Sequence, residues 1–331
     1  MKIAIDAMGG DHAPAEVVRG AVDAAQEFGI EVLLVGQQTV IQDQLKSFKN
    51  LNSRVSIVDA PDVVGFDEHP AQAVREKPRS SVMVGMKLLR GKDVSAFVSA
   101  GPTGAVLCAA LLALGKLHGI QRPALGALIK TEKSPLLLLD IGANADCRPY
   151  YLVQFAYMGS IYMNRVWGLE NPRIGLLANG EEEIKGNLLV RSTHQLLKQA
   201  KVNFIGNVEG RDITKQTADV IVTDGFTGNV ALKSIEGMGE SIFGSLSRVL
   251  KSNIQFRLAG LLLRPALRAV AKQVDYSEYG GAPLLGVRGN VIVAHGRSQA
   301  KAIKNAIRLA KQTVDQGLPQ AMMEEKLWLN Q

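Results

Sequence analysis

Five glycine-rich turns carry most of the side chains in this sequence that could do chemistry. They are Asp6-Ala7-Met8-Gly9-Gly10-Asp11-His12, Ser99-Ala100-Gly101-Pro102-Thr103-Gly104, Asp140-Ile141-Gly142-Ala143-Asn144, Asn179-Gly180-Glu181 and Thr223-Asp224-Gly225-Phe226-Thr227-Gly228-Asn229. Glycine lets the backbone come close to a ligand, and unpaired N–H groups at a helix start attract anions, so a phosphate is the simplest guest. Each turn taken alone also reads as an ordinary strand exit or helix N-cap. Five of them together point to a ligand-binding edge.

Other chemistries leave no trace. Gly237-Met238-Gly239 lies inside a helical stretch rather than at a strand-to-helix turn, so it is no dinucleotide fingerprint. The order of residues from Gly180 to Gly186 is wrong for a nucleotide P-loop, and no Gly-x-Ser-x-Gly nucleophile elbow is present. The histidines at 12, 69, 118, 194 and 295 lack metal-ligand spacing. No cofactor and no resident metal are expected. Cys147 beside Arg148 is a weak candidate nucleophile, since a neighbouring cation favours thiolate; Cys108 sits in an apolar helical stretch and reads as core.

The elements that must position these turns alternate in type. Short apolar runs at 2–6, 31–35, 55–58, 96–99, 136–140, 173–177, 204–206, 220–223 and 291–294 read as strands. Helical patterns fall between them at 15–28, 80–90, 103–116, 188–198, 228–250 and 298–316. This is the pattern of parallel strands joined by crossover helices, whose ligands bind where the turns gather at the carboxyl ends of the strands.

The chain has 331 residues, 47% hydrophobic and 21% charged, with no linker that forces a split, and is expected to form a single unit over 1–331. Two cysteines and an acidic residue as early as Asp6 suit a reducing cytoplasm and no signal peptide. Apolar runs at 105–115 and 258–263 fall short of the ~20 residues that cross a bilayer. A net charge of +7 favours anionic partners, but aromatics are only 5% and no nucleic-acid motif accompanies the charge, so nucleic acid is not expected.

A helical excursion at about 250–275 carries Phe256, Leu258, Leu261, Leu262, Leu263, Leu267 and Val270 with Arg257, Arg264, Arg268 and Lys272. The cations share one arc, which suits contact with an anionic membrane surface. The same pattern also suits a hairpin packed on a dimer partner. Pro265 predicts two short helices there.

The turns at 6–14, 99–104, 140–146 and 223–229, together with Glu182-Glu183-Ile184-Lys185-Gly186, the run from Leu152 to Ser160 and Tyr279-Gly280-Gly281-Ala282, resemble in order those of the phosphate acyltransferase (PlsX) family. The resemblance implies a three-layer α/β/α sandwich with a mostly parallel sheet, similar to phosphotransacetylase and isocitrate dehydrogenase-type folds, in a homodimer. It implies acyl transfer from acyl-[acyl-carrier protein] to inorganic phosphate. The acyl phosphate would feed a membrane-embedded glycerol-3-phosphate acyltransferase (PlsY), with the enzyme cytoplasmic and peripherally held at the inner face of the membrane.

Phosphate is already an anionic nucleophile, and a thiol with pKa near ~8.5 leaves readily, so the lack of a triad is expected. What is needed is positioning and oxyanion stabilisation. Lys185 is expected to stabilise phosphate or oxyanion, and Asn229 to hydrogen-bond the reacting group. Asp6, Gly9, Gly10, Asp11, His12, Ser99, Gly101, Thr103, Gly104, Asn144, Asp224 and Thr227 are expected around the substrate, most of the aspartates as turn caps. One position departs from the family: Pro102 stands where an Asn is usual, and can start a helix but offers no amide. The acidic carrier would dock on cations such as Arg165, Arg173, Arg191, Arg288, Arg297 and Lys301. A CoA-dependent phosphotransacetylase and a non-catalytic membrane-surface scaffold are the competing expectations.

Overall fold

Fully apolar runs bounded by turns fold as strands buried on both faces, each core Leu, Ile or Val contributing ~1.5–3 kcal/mol. In a computed structural model of the protein, which describes residues 1–48, 53–131, 134–274 and 278–325 (side chains at 268, 269 and 271–274 excepted), eleven strands share one sheet, the two at its edges partly exposed. The order is β3-β2-β1-β4-β11-β10-β5-β6-β9-β7-β8. The strands are β1 (Lys2–Asp6), β2 (Glu31–Gly36), β3 (Val55–Asp59), β4 (Ala96–Ser99), β5 (Ala124–Ile129), β6 (Leu136–Leu139), β7 (Arg173–Leu177), β8 (Asn203–Val208), β9 (Val220–Val222), β10 (Ala282–Leu285) and β11 (Asn290–Val293).

The sheet is built from two parallel blocks. β3, β2, β1, β4 and β11 run one way, and β6, β9, β7 and β8 run the other, because β10 and β5 are each antiparallel to both of their neighbours. The expectation that all the turns gather at one carboxyl edge is therefore corrected. The turns after β1 and β4 leave one edge, and those after β6, β7 and β9 leave the other.

Alternation along each strand sorts side chains to two faces. On one face Ile3, Ile5, Leu137 and Leu139 pack with α1 (Ala15–Phe28), α10 (Ala300–Asp315) and α6 (Pro149–Trp167), whose Phe155, Tyr157 and Tyr162 are fully buried. On the other, Ala4 and Phe97 pack with α4 (Ser81–Gly91) and α5 (Thr103–Ala113), while Leu136, Leu138 and Ile221 pack with Leu232 and Ile235 of α8 (Gly225–Lys251). That second face thus has two separate clusters, with Ile141 touching both.

Helix α8 runs past the sheet and pairs with α9 (Ile254–Val274) as a hairpin. The chain reverses at Ser252 and Asn253, where the Phe256 N–H donates to Asn253 Oδ1 at 2.8 Å and so starts the new helix. Pro265 lies inside α9, which continues through it, correcting the expected pair of short helices. The carbonyl it orphans lies four residues back at Leu261, an exposed position where water can serve it. Phe256, Leu258, Leu262 and Leu263 are exposed, Leu262 at 84%, and Leu267 is half-buried. The side chains of Arg268 and Lys272 lie outside the described set. Among the described residues no helix is long and apolar enough to cross a membrane.

Candidate active site

Between the two clusters, over β5 and β10, lies a cleft of about 440 Å³. The start of α5 forms one wall and α8 the other. Thr103, Gly101, Asp11, His295 and Gly296 come from turns of the first block, and Gly142 and Asn229 from turns of the second. The opposed edges thus meet because α8 starts at one and runs toward the other. Asn229 and Lys233 are one turn apart, ~6 Å along its axis, and both line the cleft.

Two buried aspartates build the turns, and neither lines the cleft. Asp6 accepts from the Ser99 hydroxyl at 2.7 Å and the Met8 N–H at 3.2 Å, while Ser99 Oγ accepts from the Gly101 N–H at 3.0 Å, which ties the turn after β1 to the turn after β4. A Cβ at Gly9 would stand 2.6 Å from both Asp6 Oδ2 and the Gly101 nitrogen, so only glycine closes this junction. Burial holds the Asp6 carboxyl above its usual range, against hydrogen bonds from Ser81 and Ser99.

Asp140 does the same in the second block. Its carboxylate accepts from the N–H groups of Leu125, Gly142, Ala143 and Asn144 at 2.7–3.1 Å and from the Asn144 amide at 2.9 Å. The N–H groups expected to cradle a phosphate in this turn are therefore spent on an internal anion. Burial raises the Asp140 carboxyl, and these donors pull against it. A Cβ at Gly228 would collide with the Asp140 carbonyl oxygen, which is how tightly the first turn of α8 is seated.

Several expected residues are caps or props. Asp224 caps α8 by accepting from the Thr227 N–H and hydroxyl, both at 2.8 Å. The Asn144 amide is held by Asp140 and by the Pro123 carbonyl. Gly104 packs on Pro70, and Gly10 abuts Ala100 and Gly296. His12 is exposed and outside the cleft lining, as is Lys185, which sits in the turn after β7 with its stem against Gly180. Burial, then Asp140, pushes the Cys147 thiol up to about 12, which disfavours the thiolate, and its Sγ faces the Asn144 carbonyl.

What remains for an anion is specific. Pro102 is the N-cap of α5, its carbonyl accepting from Ala105 and Val106, so the Thr103 and Gly104 N–H groups open the helix without an intrahelical partner. Across from them stand the Asn229 amide, with no hydrogen-bond partner among the described residues, and Lys233, whose Nζ is 3.0 Å from His295 Nε2 and 3.6 Å from Glu236. The other ring nitrogen, Nδ1, lies 3.1 Å from the Arg297 nitrogen, and the neutral ring can accept at only one of its two nitrogens. Burial, then Lys233, lowers the His295 pKa, so the ring is neutral where free imidazole is still charged. Lys233 and His295 were missed in the sequence. The signal for Lys233 was its place four residues after Asn229 on one helix face.

Of the basic residues expected to dock a carrier, Arg297 adjoins the cleft at Gly296 and pairs with Glu240 at 3.4 Å. Arg173 is tied to Asp219, Arg165 to Glu325 and Lys301 to Glu278.

The family described as "Fatty acid synthesis protein" matches residues 1–321. The chain is 53% identical over 316 residues to a phosphate acyltransferase of Dictyoglomus turgidum, covering 95% of this chain and 94% of that protein. It is 50% identical over 329 residues to one of Dehalococcoides mccartyi, covering 98% and 94%. Among solved structures, a phosphotransacetylase from Streptococcus pyogenes aligns with a TM-score of 0.65 at 16% identity, covering 95% of this chain and 94% of that one. A 4-hydroxythreonine-4-phosphate dehydrogenase from Klebsiella pneumoniae aligns at 0.54 and 15%, covering 95% and 99%. At such identities the structures speak to the fold alone.

Proposed function

The chain belongs to the phosphate acyltransferase family of fatty acid and phospholipid synthesis, and we propose that its cleft moves an acyl group from an acyl-carrier-protein thioester to inorganic phosphate. The observation that carries this reading is that Asn229 and Lys233 line the same cleft as Thr103, the first residue of α5, over an apolar floor.

Phosphate rests on the Thr103 and Gly104 N–H groups and the Thr103 hydroxyl, where the helix start favours an anion. Lys233 balances its charge and holds it toward the thioester. A phosphate oxygen attacks the thioester carbonyl, and the new oxyanion takes a hydrogen bond from the Asn229 amide. The C–S bond then breaks, the carrier thiolate leaves and takes up a proton, and acyl phosphate remains. Lys185, outside the cleft lining, meets the anionic substrate as it arrives. Arg297 and its neighbours receive the acidic carrier.

The exposed leucines of the α8–α9 hairpin rest on an anionic membrane, so that the enzyme works in the cytoplasm at the inner face of the membrane. There a homodimer of single-unit chains hands acyl phosphate to the membrane-embedded glycerol-3-phosphate acyltransferase (PlsY). Incubation with phosphate and either an acyl-carrier thioester or an acyl-CoA tests the reading. Carrier-dependent acyl phosphate is expected; preference for CoA would make it a phosphotransacetylase, and no product would leave a scaffold.

A further inference from the structure

The cleft is polar along its walls and apolar along its floor. Asn229, Lys233 and His295 stand against a bed made of Leu125, Ala127 and Leu128 of β5, Ala282 of β10, Leu232 of α8 and Val293 of β11. Two alanines in that bed leave room above the strands that larger side chains would fill. From Leu125 to Ala127, neighbours on one face of β5, the strand advances ~7 Å, long enough to carry several methylenes of an extended chain.

The bed ends at Tyr279. This ring lines the cleft and also lines a second cavity of about 300 Å³ behind it, whose walls include Lys130, Glu278 and Arg308. Tyr279 is braced by Trp167, edge to face, with centroids 5.7 Å apart and planes at 83°. Arg308 is held by its hydrogen bond to the Glu278 carbonyl at 2.8 Å.

We infer that the apolar bed holds the fatty acyl chain of the thioester and that Tyr279 is the wall against which its methyl end stops, setting the longest chain the enzyme accepts. The inference rests on the acyl-transfer reading above. Removing the ring joins the two cavities and lets longer chains lie against Trp167 and Leu309.

The test is kcat/KM for a ladder of saturated straight-chain carrier thioesters with wild type, Tyr279→Ala, Tyr279→Leu and Tyr279→Phe. Both shortening variants should move the optimum to longer chains, improving the longest substrate relative to the wild-type optimum by roughly tenfold for two methylenes newly buried. Tyr279→Phe keeps the wall and should keep the wild-type profile. If Ala and Leu scale every chain length by one common factor, or Phe shifts the profile as Ala does, the wall is refuted while acyl transfer stands. A wild type that makes no acyl phosphate from any thioester overturns both.

Discussion

Lys233 Nζ lies 3.0 Å from His295 Nε2, joining α8 to the turn beyond β11 across the cleft. The contact couples the charge of one to the titration of the other. Burial and then Lys233 hold the His295 pKa below that of free imidazole, so the ring stays neutral below the ordinary imidazole range and gains its charge only as pH drops through the lowered value. Lys233→Met removes the largest lowering cause after burial. His295 in that variant should titrate at higher pH than in wild type, followed by its ring proton resonance, and acyl-phosphate formation should drop about a hundredfold. A His295 titration that stays put or moves down would break the proposed coupling.

Lys185 and Asn229 separate by kinetics. Asn229 is placed to touch the reacting carbonyl, so Asn229→Ala should lower kcat by about a hundredfold with little change in KM. Lys185 is exposed and outside the cleft lining, so Lys185→Ala should cost at least about tenfold in turnover at limiting substrate, mainly through KM. Steady-state kinetics at saturating and limiting thioester distinguish the two; a pure kcat defect in Lys185→Ala would place that ammonium at the reacting atoms.

Two glycines of one helix should respond oppositely to alanine. Gly228 has no space for a Cβ beside the Asp140 carbonyl, so Gly228→Ala should destabilise the protein by at least about 2 kcal/mol and displace Asn229. Gly237, exposed on the same helix with nothing near its Cβ, should gain up to about 1 kcal/mol as alanine. Urea unfolding of both variants measures the contrast, and equal effects would contradict the seating of α8.

The hairpin offers a binding test. Leu262 is 84% exposed, so Leu262→Glu should leave folding and cleft chemistry unchanged. It should weaken flotation with anionic vesicles at least tenfold, because a carboxylate replaces an inserting side chain and is repelled by the surface. Equal flotation of variant and wild type would remove membrane insertion from the proposal.

Much of this was legible in the residues, and the failures have local causes. β1, β4 and β7 follow their apolar runs to the residue, and α1 likewise, because Gly29 stops it where the pattern ends. The strands that went unseen are β5, Ala124–Ile129, and β10, Ala282–Leu285, built from Ala, Leu, Gly and Pro with few β-branched residues. They are also the strands that reverse the sheet, so the position of the cleft could not be read without them. α6 escaped because its middle is buried on every side and shows no helical stripe. The turn motifs themselves were found, but whether a given Asp, Asn or Gly faces ligand or loop depends on contacts across the sheet, as Asn144 and Ser99 illustrate.

Asp140 occupies the ring of N–H groups that its own turn presents. A loop of this shape left vacant would compete for free phosphate, holding it beside the second block and away from the thioester. By filling that loop with a tethered carboxylate, the chain removes one place that would otherwise hold phosphate away from the reacting group.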